Sequence, residues 1–145
     1  MQITKQTDYA VRAVTYLAEL GPGARASTAQ IAREQNIPST FLAKIVSQLS
    51  VAGVLHATRG ARGGVALARS AGEITLLEIV EAIDGPVALN ECVRNPDACA
   101  QSDRCAVRVV WCQLQAEVIA KLAQTNFGQL ARGPQFSLAQ VSVEA

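Results

Sequence analysis

The most constraining feature of this chain is a change of hydrophobic period at Gly53. Upstream, apolar residues recur at three- and four-residue steps in short blocks, each closed by a breaker. Downstream they fall into two brief runs, Val54-Leu55-His56-Ala57-Thr58 and Val65-Ala66-Leu67-Ala68, around Arg59-Gly60-Ala61-Arg62-Gly63-Gly64. Helical period followed by strand-like runs around a glycine-rich turn predicts short helices and then a β-hairpin with a basic tip.

The first helix spans Thr4 to Leu20, with Ala10, Ala13, Val14, Leu17 and Leu20 on one side and Gly21-Pro22-Gly23 as its stop. Ser27 and Gln30 form a capping-box pattern at the start of a second, which ends near Gln35 with Asn36 suited to a left-handed terminus. Pro38 opens a third, whose inward stripe is Phe41, Leu42, Ile45, Val46 and Leu49. Beyond the hairpin, Thr75 and Glu78 make another capping box, and Ile79, Val80 and Ile83 face inward until Asp84-Gly85-Pro86. Val87 to Arg104 is irregular. From about Cys105 a long helix carries Val107, Trp111, Leu114, Val118 and Leu122, a seam that needs a partner surface, and it ends between Asn126 and Gly128. The chain therefore reads as mainly α with a small β-hairpin wing: a winged helix-turn-helix over 1–70, a linker helix, cysteine loop and pairing helix over 71–128, and a loosely ordered tail over 129–145.

Charge sharpens this division. Residues 1–70 carry eight Lys/Arg against three Asp/Glu, hence +5, and the remainder five against nine, hence −4, which together give the whole-chain +1. A basic half on a near-neutral protein points to a polyanion on one face. In a helix-turn-helix the third helix can enter the major groove, so Ser39 and Thr40 can meet base edges, Lys44 a phosphate or guanine, and Ala43 a thymine methyl. Arg59 and Arg62 on the hairpin tip can place a guanidinium in a narrow minor groove, with Gly60, Gly63 and Gly64 allowing close approach. A lone outward lysine or a glycine-rich turn is ordinary; their coincidence on the basic half favours double-stranded DNA. His56, the sole histidine, lies in an apolar strand without cysteine neighbours and reads as packed or half-exposed structure. Neither a nucleophile elbow nor a phosphate loop is present, so the chain does not read as an enzyme. It has no bilayer-length apolar run and no signal-peptide core at Met1 to Gln6, and reads as cytoplasmic.

Four cysteines, at 92, 99, 105 and 112, stand within 21 residues. Their gaps of six, five and six intervening residues match neither zinc nor ferredoxin spacing, and leave metal binding, thiol redox chemistry and burial all open.

Gln6-Thr7-Asp8-Tyr9-Ala10-Val11-Arg12, the block Ile37 to Ile45, Ala52-Gly53-Val54-Leu55, the wing from Arg59 to Leu67, and Ile74-Thr75-Leu76 closely resemble the Rrf-type winged-helix regulators. The likeness runs in order over about residues 1–130. It implies a homodimer, paired through the long helix, on pseudo-palindromic promoter DNA. It also implies that Cys92, Cys99 and Cys105 hold an iron-sulfur cluster, of the 2Fe–2S or 4Fe–4S type, through which the family's sensors read redox state, nitric oxide or iron. The family's biogenesis regulators complete the cluster with a histidine where this chain has Arg108, which cannot serve. Asp8 matches the aspartate that the nitric-oxide sensors supply from the other subunit. Cys112 lies outside the pattern and reads as packing in the pairing seam. The first cysteine gap differs by one residue from that of the nitric-oxide sensors, so the resemblance leaves cluster type and signal open. Other family members lack these cysteines and respond through a partner protein. A thiol switch, a zinc site or a partner-controlled repressor is the competing expectation.

Overall fold

A computed structural model of the chain describes residues 1–133, and the expected tail lies outside the described residues from 134 onward. Helix α1 (Lys5–Glu19) starts where the Thr4 hydroxyl accepts the Thr7 N–H at 3.2 Å, and its buried stripe is Thr7, Ala10, Ala13, Val14 and Leu17. Helix α2 (Thr28–Gln35) is capped by Ser27 Oγ, which accepts from the Gln30 N–H at 3.1 Å. The expected capping box is half formed: Gln30 Nε2 instead donates to the Tyr16 hydroxyl at 2.9 Å, tying α2 to α1. Asn36 takes the left-handed conformation at φ 51°, turning the chain into α3 (Ser39–Val51). Leu42, Ile45, Val46 and Leu49 are buried as expected. Phe41 is not: it is 42% exposed, its ring edge-on to Tyr9 of α1 at 5.7 Å.

Strands β1 (Leu55–Thr58) and β2 (Gly64–Leu67) pair antiparallel, with Leu55 opposite Leu67 and Thr58 opposite Gly64. Ala26, in the α1–α2 connection, adds a single bridging residue to the outer edge of β2: its N–H donates to Val65 O at 3.0 Å and its carbonyl accepts from Val65 N at 2.8 Å. Nothing in the period of that connection announces a strand.

Helix α4 (Leu76–Asp84) opens with the full Thr75–Glu78 capping box. Arg69 pairs with Glu78 at 2.5 Å and donates to the carbonyls of Gly53 and Glu73, both at 3.3 Å, so one basic residue of the reading half serves as a brace between hairpin and α4. Single-turn α5 (Glu91–Arg94) and two 3₁₀ turns, Pro96–Ala98 and Ser102–Arg104, lead to α6 (Ala106–Gln124). The long helix then stops short of the expected end. Thr125 and Asn126 run back along Ile74 and Thr75, with Leu76 N donating to Thr125 O at 2.8 Å and Phe127 N to Ile74 O at 3.0 Å. Helix α7 (Phe127–Leu130), capped by Asn126 and Gln129, drives Phe127 fully into the core formed by α1, α3, Ile74 and Ile79. Thus the helix-turn-helix core extends past residue 70 and is closed by residues from both sides of the cysteine segment.

The far end of α4 is fastened to α1. Thr7 Oγ1 donates to Asp84 Oδ2 at 2.6 Å and Thr4 Oγ1 to Oδ1 at 2.7 Å. Burial pushes the Asp84 carboxyl up, but these hydrogen bonds outweigh it and hold it below the ordinary aspartate value. The stabilisation is therefore complete above that ordinary value and is lost as pH falls through the lower folded value. Melting temperatures of wild type and Asp84→Asn from pH 7 to 3 should show a wild-type advantage at neutral pH that closes below about pH 4. A gap independent of pH contradicts this assignment.

Candidate nucleic-acid interface and cysteine segment

The burial of Leu42, Ile45, Val46 and Leu49 leaves Ser39, Thr40, Ala43, Lys44 and Ser47 exposed together on α3. No side chain caps the start of α3, so the first-turn N–H groups beside Ser39 and Thr40 are free of a side-chain partner. The helix is braced from α1 by the Tyr9–Phe41 contact and by a hydrogen bond from Gln6 Nε2 to Gln48 Oε1. Lys5 and Arg12 each lie 5.3 Å from the Tyr9 ring centre, so cationic charge borders this face of the helix-turn-helix.

Arg59 and Arg62 are exposed at the wing tip. Gly63 is there for geometry: its N–H closes the turn onto Gly60 O at 2.9 Å, and a Cβ on it would lie 2.1 Å from Thr58 O. Arg25 Nη1 reaches Arg62 O at 3.5 Å, so a third guanidinium that sequence reasoning passed over joins the tip. His56 is exposed on β1, against the expectation of a packed or half-exposed residue. Its cross-strand partner is Ala66, so it lies on the hairpin face opposite the one that carries Leu55, Ala57, Val65 and Leu67.

The cysteines are all free thiols. Cys92 sits half-buried in α5, Cys99 is exposed after the first 3₁₀ turn, and Cys105 is half-buried at the residue preceding α6. Cys112 is half-buried within α6. Among the described residues no three His, Cys, Asp or Glu side chains converge as a metal site. Asp8 is instead held within its own chain, accepting from Arg12 Nη2 at 2.6 Å with Lys5 Nζ at 3.6 Å. Arg12 also donates to Gln35 O at 3.3 Å, linking Asp8 to the end of α2. In kind, the donors suit iron: three soft thiols on one segment, and a carboxylate that is 43% exposed and open to a second chain. No side chain caps α6, so the N-terminal N–H groups next to Cys105 offer an electropositive end to an anionic group.

Helix α6 buries no residue completely. Its expected seam divides: Trp111, Val118 and Leu122 are half-buried, while Val107 and Leu114 are 48 and 39% exposed, and Val110, which is not part of that seam, is 47% exposed beside them. At three- and four-residue steps these last three share one open apolar face.

Residues 3–133 match the sequence pattern of Rrf2, described as iron-dependent transcriptional regulators. The chain belongs to the Rrf2 family. MT1325 of Mycobacterium tuberculosis, provisionally named as an HTH-type transcriptional regulator, is 32% identical over 133 residues, 92% of this chain and 83% of that protein. The structure of CymR, the global cysteine regulator of B. subtilis, superposes with a TM-score of 0.77 at 25% identity, covering 92% of this chain and 98% of CymR. IscR of T. potens shares the fold with a TM-score of 0.73 at 21% identity, covering 94% and 93%. This Rrf2 protein is accordingly a winged-helix DNA-binding transcriptional regulator. No helix among the described residues is long and apolar enough to cross a membrane.

Proposed function

We propose that this Rrf2 protein is a homodimeric regulator whose hold on promoter DNA is set by an iron-sulfur cluster. The observation that carries the reading is the grouping of three free thiols, Cys92, Cys99 and Cys105, on one segment directly before a helix with an unpartnered apolar face. In this reading Val107, Val110 and Leu114 seat against a second copy, and Asp8 of one subunit reaches the thiols of the other. Ser39, Thr40 and Lys44 meet the major groove while Arg59 and Arg62 enter the minor groove, on a pseudo-palindromic site. When bound, a cluster supplies iron-thiolate bonds that oxidants, nitric oxide or iron scarcity break. The chain's own residues do the rest. Arg12 and Lys5 both engage Oδ2 of Asp8, and Arg12 also holds the end of α2, so an Asp8 carboxylate that joined the partner's cluster would share its side-chain contacts with the pose of the helix-turn-helix.

Anaerobic reconstitution with ferrous iron and sulfide is the test. Visible sulfur-to-iron absorption, about one cluster per monomer and promoter affinity that differs between loaded and metal-free protein are expected; equal affinity in both states rejects the sensor claim.

A second reading rests on the exposure of Cys99 and on the likeness to CymR, named as a cysteine regulator. Here the thiols act directly as a redox switch, hold zinc, or are bypassed by a partner protein. Zinc in anaerobically prepared protein, or oxidant-dependent DNA binding without iron, selects this alternative.

A further inference from the structure

Arg108 lies in the first turn of α6 and touches the main chain of two cysteines. Its Nε donates to Cys92 O at 3.0 Å in a partly buried contact, and its backbone N–H donates to Cys105 O at 3.1 Å. Seven residues further along the helix, Gln115 Oε1 accepts from Leu89 N at 3.1 Å, so α6 grips the start of the cysteine segment at two points. α5 is a single turn and leaves its late carbonyls without helical partners; Arg108 satisfies the one on Cys92. Among the described residues Cys99 has no such tie. Its backbone bonds to near neighbours, accepting from Ser102 N at 3.1 Å and donating to Pro96 O at 3.4 Å.

We propose that Arg108 is a positioning residue, which sets Cys92 against the first turn of α6 beside Cys105 before any metal arrives. Two of the three thiols are thereby placed by the protein, and Cys99 alone closes in from the exposed turns. Arg108 cannot ligate iron; it holds the segment through the Cys92 carbonyl instead. The purpose of this arrangement rests on the iron-sulfur reading; the placement does not.

The test uses the full chain in two states. In metal-free protein kept reduced and anaerobic, iodoacetamide labelling of each cysteine is followed by peptide mass spectrometry. Arg108→Ala should speed labelling of Cys92 by about tenfold and leave Cys99 unchanged, and Arg108→Lys, which keeps a cationic donor, should restore Cys92 to within about twofold of wild type. Cys112, in the same helix, serves as the internal reference: its rate stays constant if α6 is intact. After loading with ferrous iron and sulfide, release of iron to a chelator should be about tenfold faster in Arg108→Ala than in wild type. An unchanged Cys92 rate in Arg108→Ala overturns the proposal. A wild type that takes up no iron yet shows the expected labelling pattern sinks the sensor reading while supporting the positioning role.

Discussion

Replacing Phe127 by alanine should destabilise the protein by about 3–5 kcal/mol and lower its melting temperature by on the order of 10 °C. Phe127 is 0% exposed and is the largest fully buried side chain among the described residues. It enters the core from beyond the long helix, held by its N–H to Ile74 O at 3.0 Å and by the Asn126–Gln129 box around the last turn. Truncation there opens a cavity between α1, α7 and the Ala71–Glu73 turn. Because the same core carries α3, loss of Phe127 should weaken DNA binding in proportion to the unfolded fraction, with one cooperative transition in calorimetry. A cost below about 1 kcal/mol would mean that the carboxyl-terminal turn is an appendage and not part of the core.

The second large effect is expected at the wing. Gly63→Ala puts a methyl group 2.1 Å from Thr58 O and 2.7 Å from the Arg59 carbonyl carbon, both backbone atoms that cannot move without opening the turn. The clash strains the hairpin tip and not the helical core, so stability should fall by about 1–3 kcal/mol with the fold retained, while affinity for a specific operator falls by about ten- to a hundredfold as Arg59 and Arg62 lose their common presentation. Arg59→Ala separates presentation from contact: it keeps the turn and removes one guanidinium, so it should give a smaller loss and a shallower salt dependence. Fluorescence anisotropy on operator duplex over a range of salt concentrations measures both. Wild-type affinity for Gly63→Ala would remove the wing from the interface.

What the sequence made legible follows from the range of the interactions. Thr75 with Glu78, Asn36 at a left-handed terminus, and the stripe Leu42, Ile45, Val46, Leu49 are settled within one or two helical turns, and all are found as read. Misreadings came where a distant residue won the competition. Phe41 has the right period for the core, but Tyr9 offers it an edge-to-face contact at the surface. Gln30 has the right spacing to complete a box, but Tyr16 takes its amide. Ala26 and Phe127 belong to elements of one and four residues, too short for any period to register. In the candidate site, the exposed face of α3 and the wing arginines follow from pattern. Cysteine spacing gave no geometry, because the segment is held by side chains of α6 that come later in the chain, Arg108 and Gln115.

The backward run of Thr125 and Asn126 along Ile74 and Thr75 gives α6 two unlike ends. One emerges from the thiol-bearing turns; the other is bolted through Phe127 into the body that carries the recognition helix. A rod gripped in this way cannot roll freely at its distal end. Val107, Val110 and Leu114 therefore sit on a crankshaft whose far bearing is the same core that seats α3.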